Sequence, residues 1–111
     1  ESRDLMAEVS LSSYQESLKD FVDLWTDWYD KNANAVFSTR KDIVVADTIV
    51  ELFKIRENIE DFNKKALYIL VRERTGLKTQ NITKVLTTMR RDFLKMFSVY
   101  QKTGRFPNSS L

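Results

Sequence analysis

Residues 43–75 read IVVADTIVELFKIRENIEDFNKKALYILVRERT, a run without glycine or proline in which apolar residues return every three or four positions. Val45, Ile49, Leu52, Ile55, Ile59, Phe62, Ala66 and Ile69 fall on one side of a helix, close to the roughly 3.5-residue spacing of a coiled-coil seam. One helix over 42–75 would span about 50 Å at ~1.5 Å per residue. In a chain of 111 residues every other segment must then pack along it. Glu60–Lys64 and Asp61–Lys65 have the favourable acid-first i, i+4 order on its outer surface. Gly76, just after Arg72 and Arg74, stands where a left-handed helix stop is wanted.

Composition agrees with an all-α fold. Two glycines and one proline leave little turn chemistry for a sheet, and 42% apolar residues are enough for one folded domain. Residues 1–11 and 104–111 read as loose tails on that domain. No apolar run is long enough to cross a bilayer, so no membrane is expected and the cytoplasm is the default compartment. With neither cysteine nor histidine, disulfides, thiolate nucleophiles, histidine-based triads and most zinc or iron sites are excluded. Asp47, Glu51, Glu57, Glu60 and Asp61 could in principle hold Mg²⁺. They lack the tight E-x-x-E and E-x-x-D repeats of the all-helical nucleotide pyrophosphohydrolases. The expectation is a protein that is not an enzyme, with no metal and no cofactor.

Upstream, Ser13 with Glu16 makes an S-x-x-E capping box, and a first helix is read over about 13–33. Tyr14, Leu18, Phe21, Trp25 and Trp28 repeat at alternating steps of four and three. The acids Glu16, Asp20, Asp23, Asp27 and Asp30 repeat at the same spacing, displaced by two residues. Two residues is about 200° around a helix, so the acids run down the face opposite the aromatics. Fraying is expected through residues 31–34, and residues 38–42 then cap the central helix.

Downstream, Leu77-Lys78 is a short connection, Thr79 reads as an N-cap, and a third helix runs over about 79–103 to Gly104. Ile82, Leu86, Met89, Phe93, Met96 and Tyr100 form its apolar stripe; Lys84, Thr88, Arg91, Lys95, Ser98 and Lys102 form a basic and hydroxyl stripe displaced by two. The expected architecture is therefore an antiparallel bundle of three main helices, with the central one longest.

Charge is graded along the chain. Residues 1–30 hold eight acids and two bases, and residues 72–111 hold nine bases and two acids, although the net charge is only +2. If both outer helices turn their apolar faces to the central one, their charged faces point away from the core. Like charges at i, i+4, such as Asp23–Asp27 and Arg91–Lys95, cost a few tenths of a kcal/mol each. Tolerating them in both helices suggests that each face meets something of opposite sign, as nucleic acid or an oppositely charged protein surface would supply.

Residues 66–91, ALYILVRERTGLKTQNITKVLTTMRR, resemble a helix-turn-helix. Gly76 corresponds to the turn glycine, Leu77 to the residue that plugs the core after it, and Ile82 and Val85 to the inward side of a recognition helix. The resemblance implies that Thr79, Gln80, Asn81, Thr83 and Lys84 read base edges or grip phosphates. Two points depart from the motif. Arg72 stands four residues before the glycine, where a small residue is usual, and the preceding helix is too long for the compact three-helix unit unless it breaks near Asn58–Asn63.

Two functions of different class follow. In the first, DNA or RNA is bound without catalysis through Lys78, Gln80, Asn81, Lys84, Arg91, Lys95 and Lys102, joined by Arg90 and Arg105. In the second, the chain is a protein–protein adaptor or assembly module, with Asp20, Asp23, Trp25, Asp27, Trp28 and Tyr29 as the partner interface. Val44, Phe53, Leu67 and Leu70 lie outside the central stripe, and a homo-oligomer is expected to cover them.

Overall fold

A computed structural model of the chain describes the backbone of residues 2–107 and the side chains of residues 15–107. It is all-α, with no strand among the described residues. Four helices follow one another: α1 (Ser2–Val36), α2 (Arg40–Lys54), α3 (Lys64–Thr75) and α4 (Thr79–Thr103), with a 3₁₀ turn at Arg56–Asn58 between α2 and α3. α2 is the hub and packs against each of the other three helices, and α4 also contacts both α1 and α3.

The first correction concerns the central element. The helix expected over 42–75 is two helices, separated by residues 55–63. α2 ends at Ile55, where the Arg56 guanidinium turns back to donate to the Phe53 carbonyl at 2.7 Å. Asp61 then adopts φ +52°, a left-handed conformation that aspartate tolerates better than most residues. Asn63 caps the next helix, its Oδ1 accepting from the Ala66 N–H at 2.9 Å. Phe62 closes the connection edge-on against Phe53, ring centroids 5.2 Å apart. Asparagine and aspartate at 58, 61 and 63 compete with the helical backbone, and a break here lets α3 fold back on α2 and bury Leu67 and Val71. Ile69, on the expected inward stripe, is 48% exposed as a result. Glu60 and Asp61 lie outside any helix, and the i, i+4 pairs with Lys64 and Lys65 do not form.

The second correction concerns α1, which starts at Ser2 rather than Ser13 and continues to Val36. No glycine or proline interrupts residues 2–36, so the Ser13–Glu16 capping pattern is overridden and lies within the helix. At the far end Ala33 is buried, which carries the helix past the residues expected to fray. The Thr39 hydroxyl does cap α2 as expected, accepting from the Asp42 N–H at 3.2 Å.

The core falls into two chemically distinct parts. Towards the C-terminal end of α4, Phe21 of α1 sits among Phe93, Phe97, Tyr100 and Phe106, with centroids 5.1–5.5 Å away. Trp25 meets Phe93 and Phe53 edge to face. Towards the N-terminal end of α4 the buried residues are aliphatic: Val45, Ile49 and Leu52 of α2, Val71 of α3, and Ile82 and Val85 of α4. α4 thus serves two neighbours in succession. Its first half seats on α2 and α3, and its second half seats on α1.

Candidate functional site

The connection between α3 and α4 is a three-residue turn, Gly76-Leu77-Lys78. Gly76 has φ +70°, and its N–H bonds to the Arg72 carbonyl at 2.8 Å, ending α3 with a left-handed residue. The Thr75 hydroxyl then accepts from the Leu77 N–H at 3.2 Å, which tightens the turn by one residue. α4 consequently starts at Thr79, with Lys78 rather than Thr79 in the capping position, and no side chain caps it. Leu77 packs partly buried on the core, while Val71, Ile82 and Val85 are fully buried. Of these, Leu77, Ile82 and Val85 are the positions that the sequence pattern places inward; Val71 is one that the pattern does not mark.

Arg72 does not block this arrangement. Its side chain is exposed and lines a shallow open groove with Ile69, Glu73, Gly76, Leu77 and Lys78, so the α3–α4 crossing carries no arginine at its centre. The break at residues 55–63 leaves a short helix before the turn, with α2, α3 and α4 all in mutual contact.

Outward from the turn, Lys78, Thr79, Gln80, Thr83, Lys84 and Thr87 are exposed and Asn81 is half-buried. Their partners divide them. Tyr68 of α3 shares a hydrogen bond with the Thr83 hydroxyl at 2.8 Å, and Thr87 turns its hydroxyl back to the Thr83 carbonyl at 2.7 Å. Lys84 is paired with Asp42 of α2 at 3.0 Å. The Asp42 carboxylate is one of only two polar or charged side chains buried among the described residues, and Lys84 is what neutralises it. Lys78, Gln80 and Asn81 make no side-chain hydrogen bond or ion pair among the described residues and are free for a ligand. Further along α4, Arg91, Lys95 and Lys102 are exposed on the same helix, more than two turns from its start.

The acidic face of α1 is not free in the way the sequence reading supposed. Asp23 is held by Arg56 at 3.0 Å, Asp30 pairs with Lys54, and Lys19 reaches Glu57 at 3.4 Å. The bases that meet Asp30 and Asp23 come from the end of α2 and from the turn after it, respectively, while in the third pair the base is on α1 itself. Asp20 and Asp27 stay exposed and form no ion pair among the described residues. The expected partner interface divides as well. Trp25 and Tyr29 are buried in the chain's own core and Trp28 is half-buried, so the first two belong to packing within one chain.

Among the described residues, Tyr29 carries the one strongly perturbed ionisation. Its hydroxyl, wholly buried, donates to Asp92 Oδ2 at 2.5 Å. Burial first, and the adjoining carboxylate second, push its pKa far up from 10.0. Burial raises the pKa of the Asp47 carboxyl above its ordinary value. Among the described residues no group of three or more acids is placed to hold a metal ion, and no helix is long and apolar enough to cross a membrane. Glu51 and Glu57, considered as metal ligands from sequence, are instead paired with Arg74 and Lys19. Compared with known proteins, the chain matches no family model, no curated protein sequence and no solved structure.

Proposed function

We propose that the chain binds double-stranded nucleic acid, without catalysis, through the first turns of α4. The observation that carries this reading is the set of free donors and acceptors at the start of α4, held up by a glycine turn on a three-helix unit. Lys78, Gln80 and Asn81 stand unpaired beside an uncapped helix start, where unsatisfied N–H groups and the helix dipole favour an anion such as a phosphate. Gln and Asn at these positions supply the bidentate amides that suit adenine edges in a major groove. Arg91, Lys95 and Lys102 add positive charge along the same helix.

Duplex DNA fits better than a single strand. The aromatic side chains that could stack on unpaired bases are mostly taken into the core, Phe21, Trp25, Tyr29 and Phe97 among them. The adaptor reading keeps part of its expected face, since Asp20 and Asp27 stay exposed while Asp23 is paired with Arg56.

The test is fluorescence anisotropy of a labelled duplex titrated at increasing salt. Binding is expected to weaken linearly in log–log form, and replacing Lys78 or Arg91 by Met lowers the slope by about one each. Lys84→Met lowers it less, since Lys84 is already engaged by Asp42. A duplex that does not bind even at low salt overturns the reading.

A further inference from the structure

Lys84, Arg91, Lys95 and Lys102 share one side of α4 by their spacing. Among the described residues only Lys84 of these forms an ion pair, with Asp42 of α2 at 3.0 Å. Lys84 is also the nearest of the four to the unpaired amides of Gln80 and Asn81, which lie one helical turn before it. The positive stripe is thus interrupted where the polar residues of α4 begin.

The two partners are unequally held. Asp42 is fixed: it lies in the first turn of α2, where the helix dipole favours a carboxylate, and its N–H donates to the Thr39 hydroxyl at 3.2 Å. Its side chain is 10% exposed, whereas that of Lys84, a flexible four-carbon stem, is 67% exposed. Arg40 and Lys41 adjoin Asp42 in sequence but are exposed and form no ion pair among the described residues, so Lys84 is its one base. Asp92, the only acid in α4, is engaged by Tyr29 and does not compete for Lys84. A phosphate arriving at this turn must draw the ammonium away from a carboxylate that cannot follow, or meet a charge that is already neutralised. Either way the sequence-independent contact is weakened, while the amide contacts of Gln80 and Asn81 are untouched.

We infer that Asp42 is a positioning residue of the nucleic-acid face: it withholds Lys84 from phosphates and so keeps the affinity for duplex of arbitrary sequence low. This role rests on the binding proposed above for α4, and one set of titrations separates the two. A labelled mixed-sequence duplex is followed by anisotropy at rising salt with the wild-type chain, Asp42→Asn, Lys84→Met and the double variant, each shown to be folded by circular dichroism. Asp42→Asn is expected to tighten binding about fivefold at low salt and to steepen the log–log slope by about one, because Lys84 is released. In the Lys84→Met background the same change leaves the slope where it was, since no ammonium remains to be released. A merely structural tie would loosen the fold without steepening the slope. If Asp42→Asn matches wild type in affinity and slope, or steepens the slope equally without Lys84, the role of Asp42 is overturned and binding through α4 stands. If neither the wild-type chain nor the Asp42→Asn variant binds at low salt, the nucleic-acid reading falls and this role falls with it.

Discussion

The Tyr29 hydroxyl donates to Asp92 at 2.5 Å from a fully buried position, tying the middle of α1 to the middle of α4 across the core. The phenol is neutral in the fold and resists ionisation there, whereas an unfolded chain releases its proton near pH 10.0. Above that pH the unfolded state binds fewer protons than the native one, so stability falls as pH rises. Thermal melts should show a steady decline from about pH 10 upward, and Tyr29→Phe should flatten part of it. At neutral pH the same change leaves Asp92 without its donor and costs about 1–2 kcal/mol.

Lys84 and Asp42 make the corresponding tie between α4 and α2. Lys84→Met leaves the largely buried Asp42 carboxylate without its ion-pair partner. Lys84 itself reaches water, so the loss is about 1–2 kcal/mol rather than the ~3–5 kcal/mol of a fully enclosed pair. Asp42→Asn, which removes the charge that needs neutralising, costs less than Lys84→Met. Denaturant unfolding of the two variants and their double gives the coupling directly.

At Gly76 the space around a new side chain is open, with nothing within 4 Å of where a Cβ would stand. The cost of Gly76→Ala is therefore conformational alone, about 1–2 kcal/mol for a residue other than glycine at φ +70°. Gly76→Asn is milder, since asparagine tolerates that region. Midpoints of chemical denaturation should rank Gly, Asn, Ala in that order of stability.

Asn63→Ala removes the side-chain cap of α3 and should destabilise the fold by about 1 kcal/mol, while Asn63→Asp stays near wild type. If the cap governs the break between α2 and α3, Asn63→Ala also raises helical content slightly, read by far-UV circular dichroism.

How far the sequence could be read depended on which forces were local. The limits of α4, Thr79 and Thr103, follow from a strong 3.6-residue apolar period bounded by two glycines, and both glycines are left-handed in the structure. Nothing so plain marks the break at residues 55–63. The apolar stripe runs straight through it, and only Asn58, Asp61 and Asn63 argue for a turn by competing with the helical backbone. Treating that stripe as one helix also hid the ion pairs. Arg56 reaches Asp23 from the turn after α2 and Lys54 reaches Asp30 from the end of α2, contacts between separate helices that left the acidic face looking unpartnered in sequence. The inward residues around the α3–α4 turn, Leu77, Ile82 and Val85, were legible because their places depend on spacing around one glycine. The pairing of Lys84 with Asp42 was not, since it joins helices far apart in the chain.

The split of the core into an aromatic and an aliphatic part gives the molecule a built-in optical division. Both tryptophans lie in α1, and Trp25 is packed between Phe53 and Phe93. The turn-helix half contains a lone tyrosine, Tyr68, and no tryptophan. Emission excited at the indole band therefore reports the union of α1 with the far half of α4 and is blind to the first turns of α4. A ligand seated on those turns leaves the spectrum where it was, while separation of α1 shifts it to the red. Two processes at opposite ends of one helix can thus be followed separately in the same cuvette, with no label added.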